Sequence, residues 1–165
     1  MQDGAGEPRV RWLDGRERAA WIGLQRMLAR LTGRLNHALT ADAALSLQDF
    51  RVLAALAEAE DGRMRAFELA RALGWEKSRL SHHIVRMIDR RLVTREKPVG
   101  DERGREVAIT ALGEAALRRA TPTLLEALTC CLFDRLSAEQ LETLVEVAAV
   151  VAGAVPQEGA SDLGE

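Results

Sequence analysis

The chain has 165 residues, 47% of them hydrophobic and 29% charged, with a formal net charge of −2. This length fits one globular domain or one domain with extensions, and the composition is ordinary for a globular protein. No apolar run approaches the ~18 residues of a membrane span, and the N-terminus lacks an apolar signal-peptide core. We therefore expect a cytoplasmic protein without contact to a membrane. Few aromatic residues and abundant Ala, Leu, Arg and Glu favour helix over sheet.

A long first helix is predicted after a tail of 11 residues. Asp14 and Glu17 have the spacing of a capping box, which marks the start of a helix. Apolar residues then recur every three or four positions, as in one buried helical stripe: Trp21, Leu24, Leu28, Leu31 and Leu35. Such a stripe must be buried against something, and a partner subunit is the economical answer.

Two shorter helices are predicted next. Ser46 and Asp49 open a helix that extends to about Ala59, and the segment 66–73 forms another one. Residues 64–65 are predicted to add a minimal strand between the two helices. Gly74 then supplies a tight turn before a further helix.

The helix predicted over 77–90 has two distinct sides. Leu80, Ile84 and Met87 fall on one buried stripe. The other positions carry donors suited to phosphates and base edges, namely Ser78, Arg79, Ser81, His82, His83 and Arg86. We expect these six residues to contact DNA.

Two strands are predicted after this helix, at about 92–97 and 105–110. Pro98, Gly100 and Gly104 form the tip between them. Helix, turn, helix and hairpin in this order indicate a winged helix-turn-helix, whose second helix enters the major groove of DNA. Arg103 lies at the tip, where it can enter the negatively charged minor groove.

Charge is divided unevenly along the chain. Residues 63–105 contain 12 Lys and Arg against six Asp and Glu, a net charge of +6, whereas the remainder carries −8. Positive charge therefore coincides with the predicted DNA-binding segment.

Two further helices complete the chain. The first covers about 111–134, is capped by Thr110 and contains Pro122, which should kink it. Ser137 and Gln140 open the second with a capping box.

Both ends of the chain carry more apolar surface than a small winged domain can cover, and each buried leucine contributes about 1.5–3 kcal/mol. We therefore expect a twofold dimer formed by both ends. Its recognition helices would lie about 34 Å apart on a near-palindromic operator.

These elements predict a fold that is mainly α with a small β-wing. We expect an N-terminal dimerisation helix over residues 12–45, a winged helix-turn-helix domain over 46–110 and C-terminal dimerisation helices over 111–153.

The segment Ser78 to Val93, with the later pieces Asp101-Glu102-Arg103 and Ile109-Thr110-Ala111-Leu112-Gly113, resembles the multiple antibiotic resistance regulator (MarR) family over about residues 12–152. The resemblance implies an obligate dimeric transcription regulator, usually a repressor and often released by a small ligand. It also implies that Asp101 braces the wing. Arg91 departs from the family pattern, which commonly has glycine there; if Arg91 is left-handed, its side chain costs about 1 kcal/mol.

Relatives bind aromatic acids or other phenolic compounds near the dimer helices. A comparable crevice is expected to be lined by Trp12, Trp21, His37 and Phe50, although these residues also suit a core or a surface. Nothing in the sequence selects the ligand.

The remaining polar residues suggest no cofactor and no metal. His82 and His83 are adjacent, so they point about 100° apart on a helix and cannot share a metal ion. Cys130 and Cys131 are expected to be reduced thiols in the dimer region, because a disulfide between neighbours in a helix would distort the backbone. A thiol redox-sensing regulator remains an alternative.

The function predicted from the sequence is sequence-specific regulation of transcription, not catalysis. The sequence offers no Ser/His/Asp set in a turn, no metal-spaced cluster and no phosphate-binding glycine loop, so an enzyme is not expected. A second alternative is a protein-interaction module that keeps the winged fold without binding DNA. The +6 segment argues against it.

Overall fold

The computed structural model of the chain describes residues 11–96 and 106–154. Within these ranges the protein is mainly helical with a small antiparallel sheet, which confirms the predicted fold class. The helices and strands follow in the order α1 (Gly15–Ala43), α2 (Leu47–Glu58), β1 (Arg63–Arg65), α3 (Ala66–Leu73), α4 (Lys77–Asp89), β2 (Val93–Glu96), β3 (Glu106–Ile109), α5 (Ala111–Cys131) and α6 (Ala138–Ala154). Short 3₁₀ turns lie at Glu60–Gly62 and Phe133–Arg135.

Side chains that precede the helices determine where several of them begin. The Asp14 carboxylate accepts hydrogen bonds from the backbone N–H groups of Arg16 and Glu17, which confirms the predicted start of α1. Ser46 and Asp49 form the reciprocal pair that opens α2. The Ser137 hydroxyl accepts the N–H of Gln140, whose side chain accepts the N–H of Ser137. Each pair satisfies backbone donors that have no partner inside the helix.

The three strands form one sheet in the order β1–β3–β2, with both pairs antiparallel. Met64 of β1 and Arg95 of β2 lie opposite Val107 of β3 from either side. The short strand predicted at 64–65 is thus confirmed and is one residue longer. Val93 and Val107 are buried, so one face of the sheet packs on the helices.

The core lies where α2, α3 and α4 meet this sheet and the first half of α5. Its most fully buried side chains are Leu39, Leu45, Val52, Leu53, Leu56, Leu69, Leu80, Ile84, Met87, Val93 and Val107. Because these residues come from α1 through β3, the two motif helices and the sheet share one hydrophobic core.

Thr110 and Gly113 hold the start of α5 against the turn between α4 and β2. The Thr110 hydroxyl donates to the backbone oxygen of Arg91 at 2.7 Å and accepts the N–H of Gly113 at 3.0 Å. A Cβ on Gly113 would lie only 2.1 Å from the backbone oxygen of Leu92. Only glycine allows this close approach.

The two ends of the described chain remain open to solvent. Helix α1 buries only Leu35, Leu39 and Ala43, and α6 buries none of its residues. The predicted stripe of α1 is therefore covered only at its C-terminal end, and Trp21 is 52% exposed. Val150 of α6 is 72% exposed. No helix in the described ranges is long and apolar enough to cross a membrane.

Candidate functional site

Helix α4 presents one polar face to solvent. Leu80, Ile84 and Met87 point into the core, as their spacing predicts. The opposite side exposes five of the six residues expected to contact DNA: Ser78, Arg79, Ser81, His82 and Arg86. The structure therefore brings these five onto one accessible surface, which we call the α4 face.

His83 does not belong to the α4 face. Its side chain is only 7% exposed, and its Nε2 lies 2.9 Å from Oδ1 of Asp49 in α2. The prediction that His83 contacts DNA is thus corrected: the residue points into the domain. The sequence held a signal for this, since position 83 follows Leu80 by three and precedes Met87 by four, which places it on the buried stripe.

Asp49 is the centre of a buried polar contact between α2 and α4. Besides His83, its carboxylate accepts a hydrogen bond from Nη1 of Arg90 at 2.7 Å and the backbone N–H of Ser46 at 2.9 Å. Nη2 of Arg90 also donates to the backbone oxygen of Ala44, at the end of α1. One carboxylate thus joins the start of α2 to both His83 and Arg90.

These contacts decide the ionisation of Asp49. Burial acts to raise the pKa of its carboxyl, but the close contact with His83 and the hydrogen bonds from Ser46 and Arg90 stabilise the carboxylate and outweigh burial. The pKa of Asp49 therefore lies well below its ordinary value. A buried charge of this kind is tolerated because it is paired.

Trp75 lies in the turn between α3 and α4 and packs against the buried side of α4. Its backbone N–H bonds the oxygen of Ala70 at 2.9 Å, beyond Gly74 in the left-handed conformation with φ of 64°. The indole is 7% exposed and meets the His83 ring edge-on, with ring centroids 5.3 Å apart. The guanidinium of Arg79 lies over the indole, 4.7 Å from the ring centroid, in a cation–π contact.

The wing is joined to α4 through Arg95 of β2. Its Nη2 donates to the Ser81 hydroxyl at 3.2 Å, so one member of the α4 face is held by the sheet. Arg103 and Asp101, the predicted minor-groove residue and wing brace, lie outside the described residues.

The end of α4 has the backbone that the sequence suggested for Arg91. Arg91 is left-handed, with φ of 58°, and its N–H bonds the oxygen of Ile88 at 2.8 Å. The N–H of Leu92 reaches the oxygen of Met87 at 3.0 Å. This pair of bonds is a Schellman motif, in which glycine usually occupies the position of Arg91.

The four residues proposed for a ligand crevice line neither of two shallow grooves in the chain. One groove of about 320 Å³ is lined by Met27, Arg30, Leu31, Arg34, Cys131 and Leu132. The other, also about 320 Å³, lies beside Ala57, Ile109 and Leu117. Trp12, Trp21 and His37 are exposed and Phe50 is half-buried, packed against the core.

Cys130 is exposed, Cys131 is half-buried, and both are free thiols. In the part of the chain that the structure describes, no group of three or more His, Cys, Asp or Glu side chains is placed to hold a metal ion.

Comparison with known proteins identifies the fold and the family. Residues 45–104 match a family model described as MarR family. Sco3205 of Streptomyces coelicolor, a MarR family transcriptional regulator solved in complex with DNA, is 32% identical; the match covers 94% of this chain and 97% of Sco3205, with a TM-score of 0.86. AbsC, a MarR family transcriptional regulator of the same organism, is 33% identical over 88% of this chain and 97% of AbsC, with a TM-score of 0.82.

A more distant match shares the fold. A mutant of MarR from E. coli, complexed with operator DNA, is 20% identical over 84% of this chain and 99% of that protein, with a TM-score of 0.73. A search of curated proteins found no match. The identity to Sco3205 and AbsC over nearly the whole length establishes the family: this chain belongs to the MarR family of transcriptional regulators.

Proposed function

We propose that the protein binds double-stranded DNA in a sequence-specific manner, with α4 in the major groove. The exposed α4 face carries the proposal, because its hydroxyl, imidazole and guanidinium groups all lie on the side of α4 turned away from the core. Arg79 and Arg86 are proposed to contact bases or phosphates, while Ser78, Ser81 and His82 orient the helix on the backbone. Arg103 is proposed to enter the minor groove and Asp101 to brace the wing. Sco3205, 32% identical, was solved with DNA.

The active form is a homodimer, in which 12–45 and 111–153 are proposed to be the dimerisation segments and 46–110 the DNA-binding domain. Large apolar side chains are left open just before α1, on α1 and on α6: Trp12, Trp21, Leu24, Leu28, Leu141, Val145, Val150 and Val151. Leaving so many of them in water would use up a large part of a stability of roughly 5–15 kcal/mol. A twofold axis between these ends places two α4 helices on successive turns of a near-palindromic site, about 34 Å apart.

We propose that the dimer is a cytoplasmic repressor of transcription that acts by binding DNA and not by catalysis. A small aromatic or phenolic effector is proposed to release it, as is typical of the family. Trp12, Trp21, His37 and Phe50 are the candidate contacts. Because they line neither of the two grooves described above, we propose that such a site is completed by the partner subunit.

The DNA-binding surface is tested with a duplex that the wild-type protein selects from a random library. Replacing Arg79, Arg86 or Arg103 singly with alanine should weaken binding to this duplex by about 1–3 kcal/mol where the arginine reads a base. A phosphate contact would instead lower the salt dependence of binding. Arg118→Ala is the matched control, since Arg118 is an exposed arginine on α5 paired with Glu114. Wild-type affinity in all three variants would place the DNA-binding surface elsewhere, and failure of the wild type to select any duplex would favour a protein-interaction module.

The dimer is tested on α6. Val145→Glu puts a charge on a surface proposed to be buried between subunits, so light scattering should show a monomer with weakened DNA binding. Thr143→Glu, at an exposed polar position on the opposite side of the same helix, serves as the control. A Val145→Glu protein that remains a dimer with unchanged affinity would contradict this assignment of the interface.

A further inference from the structure

Two buried rings lie directly beneath the α4 face. The Trp75 indole and the His83 imidazole are each 7% exposed and meet edge-on with centroids 5.3 Å apart. Neither ring can reach a DNA molecule that approaches α4 from solvent. Each nevertheless contacts one of the two arginines proposed to bind DNA.

His83 joins Arg86 to a charge on another helix. Nη2 of Arg86 lies 3.0 Å from Nδ1 of His83, while Nε2 of the same ring lies 2.9 Å from Oδ1 of Asp49. A guanidinium can only donate, so Nδ1 of His83 accepts from Arg86, and the ring then carries its proton on Nε2. Nε2 faces the Asp49 carboxylate within ion-pair distance, although the contact does not have the geometry of a hydrogen bond. The imidazole thus transmits the fixed position of the Asp49 carboxylate to Arg86. Four of the five N–H groups of Arg86 remain for DNA.

Trp75 does the same for Arg79 with a different contact. The flat indole, held by the core and by its backbone bond to Ala70, supports the guanidinium, whose central carbon lies 4.7 Å from the ring centroid. An unsupported exposed arginine samples many rotamers, and fixing it upon binding costs about 0.5–1.5 kcal/mol. An arginine held over an aromatic ring has lost part of this freedom before DNA arrives.

We propose that Trp75 and His83 are positioning residues for DNA recognition: they hold Arg79 and Arg86 in place on the α4 face, and Asp49 fixes His83 from α2. The inference rests on the proposed function, since it requires that these arginines contact DNA. Trp75 and His83 therefore determine DNA affinity without touching DNA. Their contribution passes entirely through the arginine that each one holds.

The test is a double-mutant cycle on the selected duplex, with the free energy of unfolding measured for each variant. His83→Gln can still reach Asp49 but does not put an acceptor where Nδ1 lies. We expect it to weaken binding about 2- to 12-fold, the cost of immobilising one long side chain. In an Arg86→Ala background the same substitution should have no further effect. His83→Asn, whose amide lies near the position of Nδ1, should recover much of the affinity although it loses the Asp49 contact.

Trp75 is tested in the same way against Arg79. Trp75→Phe keeps an aromatic face and should bind within about twofold of wild type. Trp75→Leu keeps apolar volume without that face and should weaken binding, but only while Arg79 is present.

The outcomes separate the inference from the function on which it rests. If Arg79→Ala and Arg86→Ala bind as wild type, the proposed DNA-binding surface is wrong. If both lose affinity while folded His83→Gln and Trp75→Leu bind as wild type, only the positioning role is overturned. An equal loss in the presence and absence of the partner arginine would show a purely structural role and would also overturn it.

Discussion

An Asp49→Asn variant keeps the shape of this side chain and removes the charge that faces His83 and Arg90. Breaking a buried charged pair by removing one partner costs about 3–5 kcal/mol. The amide oxygen of asparagine can still accept the backbone N–H of Ser46, so part of the cap on α2 remains. We therefore expect the free energy of unfolding at neutral pH to fall by about 3 kcal/mol, the lower end of that range.

The same variant should change the pH dependence of stability. The pKa of Asp49 is depressed in the folded state. Its contribution is therefore fully present above the unfolded-state pKa of about 3.9, and it is lost as the pH falls through the folded-state pKa. Linkage with that unfolded-state pKa gives a loss of about 1.2 kcal/mol between about pH 5 and pH 3. Asparagine does not titrate, so the stability gap between wild type and variant should narrow by this amount.

Urea unfolding at fixed protein concentration measures both effects, and the concentration must be fixed because dimerisation contributes to stability. Glu114→Gln is the control, since Glu114 forms an exposed i, i+4 pair with Arg118 that contributes little. A stability gap for Asp49→Asn that is the same at both pH values would refute the assignment of a depressed pKa. A negligible gap at neutral pH would show that the contacts with His83 and Arg90 do not stabilise the fold.

Three further substitutions test the backbone around the wing. Arg91→Gly should raise the free energy of unfolding by about 0.5–1 kcal/mol, because glycine adopts the left-handed φ of 58° without strain; Arg91→Lys should leave it unchanged, and a destabilised glycine variant in chemical denaturation would contradict the argument. Gly113→Ala should cost about 3 kcal/mol or more, since its Cβ would lie 2.1 Å from the Leu92 oxygen. Its control is Gly15→Ala, where an added Cβ meets nothing within 4 Å, and equal melting temperatures for the two alanine variants would count against the close approach. Thr110→Val should lower the free energy of unfolding by about 1 kcal/mol because α5 loses its cap, whereas Thr110→Ser keeps the hydroxyl and should be as stable as wild type. Equal urea midpoints for the valine and serine variants would show that the hydroxyl is not needed.

The sequence was informative wherever the signal is local. Asp14, Ser46, Thr110 and Ser137 each mark a helix start within four residues, and the structure has a helix beginning at each. Such caps act through backbone groups one turn away, so no knowledge of distant parts of the chain is needed. The same holds for Arg91, whose left-handed backbone follows from the end of one helix.

The support beneath the α4 face was not predicted because it depends on distant pairs. Asp49 and His83 are 34 positions apart in the chain, and Asp49 already had a sufficient local explanation as the capping partner of Ser46. His83 has the same hydrogen-bonding groups as His82, which suggests a DNA contact, but its position on the helix places it in the core. Trp75 follows a left-handed glycine, where a hydrophobic residue often packs back on the helix, and that rule would have identified it as buried.

Arg90, at the end of α4, contacts both the end of α1 and the start of α2. One nitrogen of its guanidinium holds the Asp49 carboxylate, and another holds the carbonyl of Ala44 where α1 ends. The planar guanidinium of Arg90 thus holds the C-terminal end of α1 and the start of α2 against the end of α4. A lysine has a single nitrogen at its tip and cannot make both contacts in this geometry, so Arg90→Lys would preserve the charge and still weaken this attachment.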